Sequence, residues 1–189
     1  MLYTGPVNPD DPRVQRTRDR LRAALLFLAA EQELGSVTMA AVARQAGINR
    51  ATVYQHYADL DGLVADSMED AVAHVARCAV LCPLETPDDT TPEPLVDLFA
   101  HVAENAVLYR RMFSERGSAR FPELLRERVA GALMPGFVEG RRPPTHTEVP
   151  PELHASFVAG ALVGAVAAAA DGGRSPDVDA RDTWLLLTR

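Results

Sequence analysis

Apolar residues recur along the chain at intervals of three and four, the period of a helix face that packs against a core. Leu21, Ala24, Leu25 and Leu28 set the first stripe and predict a helix from Arg16 to Leu34, with an Arg-rich opposite face and Gly35 as its stop. Thr38 suits the cap of a short second helix carrying Met39, Val42, Ala43 and Ala46, closed by Gly47. Asn49 then caps a third, Arg50 to Tyr57, after a turn of about three residues. A single long stripe follows from Leu60 to Leu81, until Pro83, Pro87, Pro92 and Pro94 break it and residues 86–91 read as an exposed loop. Further stripes predict helices over Leu95–Tyr109, Leu108–Glu115, Pro122–Phe137, Glu152–Ala170 and Val178–Leu187, with a proline-rich loop at Gly140–Pro151. No run of strand period and no internal repeat appears, so the predicted class is all-α with about nine helices. The expected organisation is a flexible arm over residues 1–12, a three-helix head over 13–58 and a helical-bundle body over 59–189.

The head carries the chemistry. A helix-turn-helix needs a small residue where its two helices pack closely, a Gly that tolerates a left-handed turn, and an apolar anchor in the second helix. Ala43, Gly47 and Val53 supply these at offsets of four and six. So placed, the second of the pair directs Arg50, Ala51, Thr52 and Gln55 outward, toward a major groove wide enough to admit it. Arg50 has the fork to donate two hydrogen bonds to guanine O6 and N7, and the methyls of Ala51 and Thr52 suit thymine. Asn49, at the cap, belongs to the same edge.

The stretch TMAAVARQAGINRATVYQHY resembles the TetR family of bacterial regulators, through Thr38, Ala43, Ala46, Gly47, Ile48, Thr52, Val53, Tyr54, His56, Tyr57 and Leu63. The resemblance spans about residues 16–64. It implies an all-helical dimer with two reading heads on a palindromic double-stranded DNA operator, and a body enclosing a pocket for a small-molecule effector. It assigns Arg50, Ala51 and Thr52 to the bases and Thr38, Tyr54 and His56 to phosphates; Tyr54 as a core aromatic is the competing expectation. One departure is Leu60, where the family often has a Lys that contacts the DNA backbone. Either affinity is lower than usual, or Arg44 and the segment Arg13–Arg22 compensate by phosphate contacts.

Charge fits this division of labour. The net charge of -7 argues against a nucleic-acid partner only until it is mapped: residues 1–57 hold seven Arg against five acids, a balance of +2, and residues 58–189 a balance of -9. All the basic residues are Arg, a bias that codon usage alone can produce. Two cysteines, no signal-like N-terminus and a longest apolar run of fourteen residues, Phe157 to Ala170, lead to the expectation of a soluble, cytoplasmic protein.

The body offers two further expectations. Gly160 and Gly164 share one face of a helix rich in small residues, which lets a second backbone approach closely. With Phe157, Ala161, Ala168, Trp184 and Leu185 they form the expected two-fold interface, with packing inside one subunit as the alternative. Phe99, His101, Tyr109, Met112, Phe113, Phe121 and Phe137 are candidates to line an effector pocket, or are simply core. Such an effector acts only by favouring a head spacing unlike the ~34–36 Å between successive major grooves. His74, Cys78 and Cys82 fall at successive i, i+4 positions, but with no fourth ligand nearby no metal site is expected. No cofactor or catalytic motif appears, so an enzyme is not expected. The alternative function is a helical dimeric ligand-binding or interaction module whose head has lost useful DNA affinity.

Overall fold

The structure, a computed structural model, describes residues 11–85 and 90–188. Most of the expected arm and part of the loop expected at 86–91 therefore lie outside the described residues. Among those described there are ten α-helices and no strand. The chain divides into two compact units between Ser67 and Met68.

The first unit holds α1 (Pro12–Glu31), α2 (Met39–Ala46), α3 (Arg50–His56) and α4 (Leu60–Ser67). α1 begins earlier than its apolar stripe implied, because the Asp11 side chain accepts from Arg13 N at 2.8 Å and Pro12 suits the first turn. Gly35 does not stop it. The helix ends at Glu31, and Gly35 sits in the 3-10 turn Leu34–Ser36. Leu21 and Leu25 of α1, Val42 and Ala43 of α2, Val53 of α3, and Leu63 and Val64 of α4 are buried and form this unit's core. Since α4 packs on α1, the head runs to Ser67, beyond the boundary expected near residue 58.

The second unit holds α5 (Glu69–Leu81), α6 (Glu93–Glu104), α7 (Ala106–Phe113), α8 (Arg120–Val138), α9 (Pro151–Gly172) and α10 (Pro176–Thr188). The expected long helix from Leu60 is two. The Ser67 hydroxyl donates to Leu63 O at 2.7 Å, and Met68 takes φ -96°, ψ 0°, where the helical ladder restarts. Asn105 likewise divides the segment expected as Leu95–Tyr109, its amide donating to His101 O at 2.9 Å. α8 packs along α5 and α9, and α10 along α6 and α9.

α9 is long and apolar enough to cross a membrane by length and composition alone, its helical span exceeding the apolar run read from the sequence. Ala155, Val158, Ala159, Leu162, Val166 and Ala170 are buried against the bundle, while Leu153, Phe157, Gly160, Ala161, Gly164 and Ala168 are exposed. Two apolar faces, one of them core, give the helix its hydrophobicity.

Burial, as the largest cause, holds His101 and His154 below the ordinary imidazole range; His74 adds to this at His101, and His146 and Arg142 at His154. The unfolded chain therefore binds protons that the folded chain refuses. Stability from these groups is full above about pH 6.5 and declines as pH falls below it toward their lowered folded values. The urea midpoint is expected to drop between pH 7 and 5.5, with a shallower fall in His154→Gln.

Candidate nucleic-acid interface

Local chemistry builds the helix-turn-helix. The Thr38 hydroxyl accepts from Ala41 N at 3.1 Å and starts α2, and Asn49 Oδ1 accepts from Ala51 N at 2.9 Å and starts α3. Between them Gly47 stands at φ 63°, ψ 37°, a conformation that glycine adopts without Cβ strain. Its N–H bonds back to α2, and Ile48 N donates to Ala43 O at 2.9 Å, closing the helix in the Schellman manner. Arg20 of α1 completes the end: its Nη2 donates to Ala46 O at 2.5 Å and lies 3.4 Å from Gly47 O. Nothing in the apolar pattern of α1 marked this arginine as a cap.

With Val53 fully buried, α3 turns its other side outward. Arg50, Ala51, Tyr54 and Gln55 are exposed, and Thr52 and His56 half-buried beside them. Tyr54 is 46% exposed, so it is not the core aromatic of the competing expectation. That place belongs to Tyr57, which is buried and donates its hydroxyl to Asp66 Oδ2 of α4. The Arg50 guanidinium lies 5.6 Å from the Tyr54 ring and its Nη2 3.5 Å from the hydroxyl, a loose arrangement that leaves the fork free to turn toward a base. Thr38, Arg44 and Asn49 are exposed on the same short motif. Both capping side chains accept from backbone and still have donors, the Thr38 O–H and the Asn49 NH2, for phosphate oxygens.

His56 is held below its ordinary pKa, first by burial and then by the nearby charge of Arg18, so near neutral pH it offers one N–H rather than a cation. The expected compensation by Arg13–Arg22 narrows. Arg18 lies over the Tyr57 ring at 5.8 Å, Arg20 caps α2, and Arg22 pairs with Asp19 and, at 3.9 Å, with Asp66. Those three brace the head internally; Arg13 and Arg16, with Arg44, remain exposed. Leu60 opens α4 half-buried, behind Asp59, whose Oδ1 accepts from Gly62 N at 2.8 Å.

In the second unit the residues expected at a pocket are mostly core. Phe99, Tyr109, Met112, Phe121 and Phe137 are buried, with His101 and Phe113 half-buried. A cleft of about 260 Å3 opens elsewhere, between the ends of α5 and α8, and of the expected residues only Phe137 lines it, beside Leu81, Leu84, Leu133 and Arg141. Trp184 is a correction. α10 starts at Pro176, and its inward face runs Ala180, Thr183, Trp184, so the indole is 1% exposed; Leu185 is half-buried, and Leu186, at 83%, is the residue that faces out. His74 and Cys78 are 3.6 Å apart, Nε2 to Sγ, but among the described residues no three His, Cys, Asp or Glu side chains are placed to hold a metal ion.

A helix-turn-helix with its second helix exposed on one edge, carried by an all-helical chain, defines a DNA-binding class of protein. Residues 21–66 match the family model for bacterial regulatory proteins of the tetR family. An uncharacterized HTH-type transcriptional regulator of Bacillus subtilis (strain 168), YxbF, is 36% identical over 66 residues, which are 34% of this chain and 17% of that relative's length. A TetR transcriptional regulator from Streptococcus agalactiae 2603V has a similar fold, with TM-score 0.68 and 18% identity over 95% of this chain and 97% of its own. The Thermus thermophilus repressor FadR, solved in complex with lauroyl-CoA, has TM-score 0.56 and 18% identity over 90% of this chain and 92% of its own. Residues 21–66 thus match the TetR family of bacterial regulatory proteins, and the chain shares its fold with solved structures described as TetR regulators.

Proposed function

We propose that the protein is a DNA-binding transcriptional regulator, a repressor released from a palindromic operator by a small-molecule effector. The observation that carries this reading is the α3 edge: Arg50, Ala51, Tyr54 and Gln55 stand exposed together while Val53, between them in sequence, is fully buried. Asp59, Asp61 and Asp66 bring residues 1–67 to seven Arg against eight acids, yet this does not oppose the reading, because phosphate contacts depend on local potential and Arg44 and Arg50 stand exposed on the motif itself. DNA as partner puts the protein in the cytoplasm, and the family that the head matches speaks for a regulator rather than an enzyme.

Two-fold assembly is part of the proposal. The outward face of α9 presents Leu153 and Phe157, the latter 68% exposed, and the small residues Gly160, Ala161, Gly164 and Ala168. A Cβ added at Gly160 or Gly164 would meet nothing within 4 Å, so packing inside the subunit does not require glycine there. A second copy approaching closely does. Leu186 of α10 is a further exposed apolar residue.

The test is titration of the DNA upstream of the protein's own gene, followed by fluorescence anisotropy, with Arg50→Ala in parallel. Loss of one bidentate base contact, about 1–3 kcal/mol, predicts 5- to 150-fold weaker specific binding with little change on random DNA. Absence of specific binding by the unaltered protein would favour the alternative of a ligand-binding module with a silent head.

A further inference from the structure

We propose that the aromatic interior around α7 binds an uncharged aromatic molecule bearing a hydroxyl or carbonyl oxygen. This rests on the regulator reading and names the chemical class of its effector. Tyr109 is the centre: the residue is 0% exposed and its hydroxyl has no hydrogen-bond partner. His101, whose ring meets the Tyr109 ring edge-on at 5.9 Å, has an equally buried and unpartnered Nε2. Ser118 follows α7, its N–H donating to Met112 O at 3.2 Å, and its hydroxyl is buried without a partner too. Native interiors satisfy such groups, and three in one quarter of a bundle mark a place where a partner belongs.

The chemistry of that partner follows from the walls. Burial, foremost, pushes the Tyr109 hydroxyl far above its usual range and the His101 imidazole below its own, so both stay neutral. The charged groups around the cluster, Arg77 beside His74, Asp97 toward Cys78, Glu104 toward His101, Arg110 and Arg111 beside Tyr109, and Arg116 and Arg120 flanking Ser118, are exposed or half-buried, and none is buried with it. A carboxylate or ammonium drawn into the interior would lose its water and find no buried counter-charge. An uncharged oxygen needs none, and it answers a hydroxyl or an imidazole directly.

Flat shape is favoured by the rings. Tyr109, Phe113 and Phe121 meet at 5.2 to 6.5 Å, stacked or edge-on. Phe113 is only half-buried, lies one turn after Tyr109 on α7, and stacks over it at 17°. A planar molecule that displaces this ring keeps the aromatic contacts and brings an oxygen to the orphaned Tyr109 hydroxyl.

Equilibrium dialysis of the full chain against 1-naphthol, naphthalene and 1-naphthoate varies only the group on one ring system. The expected result is 1-naphthol bound at least ten times more tightly than either of the others. In Tyr109→Phe its affinity falls about tenfold and that of naphthalene does not change. Ser118→Ala provides an independent second loss. Without ligand, Tyr109→Phe should melt about 2–4 °C higher, because an orphaned hydroxyl is gone and the packing is kept. Equal binding of 1-naphthol by both forms, binding of 1-naphthoate as tight as that of 1-naphthol, or a lower melting temperature for ligand-free Tyr109→Phe would each overturn the proposal. A protein that binds its upstream DNA but not 1-naphthol loses this ligand class and keeps the regulator reading; one that binds 1-naphthol but no DNA does the reverse.

Discussion

Replacing Gly160 and Gly164 together by Glu is expected to leave a folded monomer that binds its operator at least a hundred times more weakly than the unaltered protein. The glycines lie one turn apart on the exposed face of α9, and the space beyond each is open, so longer side chains disturb nothing within the subunit. Glu is also the better helix former, by about 0.5 kcal/mol per residue in an exposed helix. Thermal stability of the isolated chain should therefore hold or rise. Across a two-fold contact the same carboxylates would face their own copies with no cation between them, and burying unpaired charge is costly. The operator then meets one head at a time. Losing the second, linked contact removes the effective-concentration gain of about 10^2–10^4. Size-exclusion chromatography with light scattering reads the first effect and DNA titration the second; a variant that elutes as a dimer would remove α9 from the interface.

The head was legible because its signals are local. Thr38, Gly47 and Asn49 act within four residues of themselves, and each does what its type and spacing implied. The body is governed by contacts that spacing does not encode. The break at Met68 hides because Leu63, Val64, Met68, Val72 and Val75 keep one helical rhythm across it, and the Ser67 back-bond that accompanies it has no apolar signature. Trp184 was misplaced because spacing says which residues of α10 share a face, not which face meets the bundle; Ala180, Thr183 and Trp184 turn inward together. The arginines of α1 show a third limit. Sequence presents Arg18, Arg20 and Arg22 as a solvated basic face available to phosphates, whereas the folded head commits them to Tyr57, to Ala46 and, for Arg22, to Asp19 one turn back on α1 and to Asp66 of α4.

Gly47→Val is expected to abolish specific DNA binding while leaving the assembly state untouched, the converse of the α9 variant. Two separate penalties meet at this residue. The backbone at φ 63° is strained for any side chain, by roughly 1–2 kcal/mol, and a β-branched one fits it worst. A Cβ there would also stand 3.1 Å from Arg20 Nη2, the group that donates to Ala46 O. Displacing it leaves the last carbonyls of α2 without their charged donor, at about 1.5–3 kcal/mol for a bond of that kind. A core drawn from one long helix and three short ones has little stability in reserve, so a loss of this size should populate the unfolded head at room temperature. Arg20→Ala, which removes only the cap, is expected to fall between the two forms in affinity. Far-ultraviolet circular dichroism should show part of the helix signal gone, with a dimer still present by light scattering. Full operator affinity in Gly47→Val would mean that the turn does not set the angle at which α3 meets DNA.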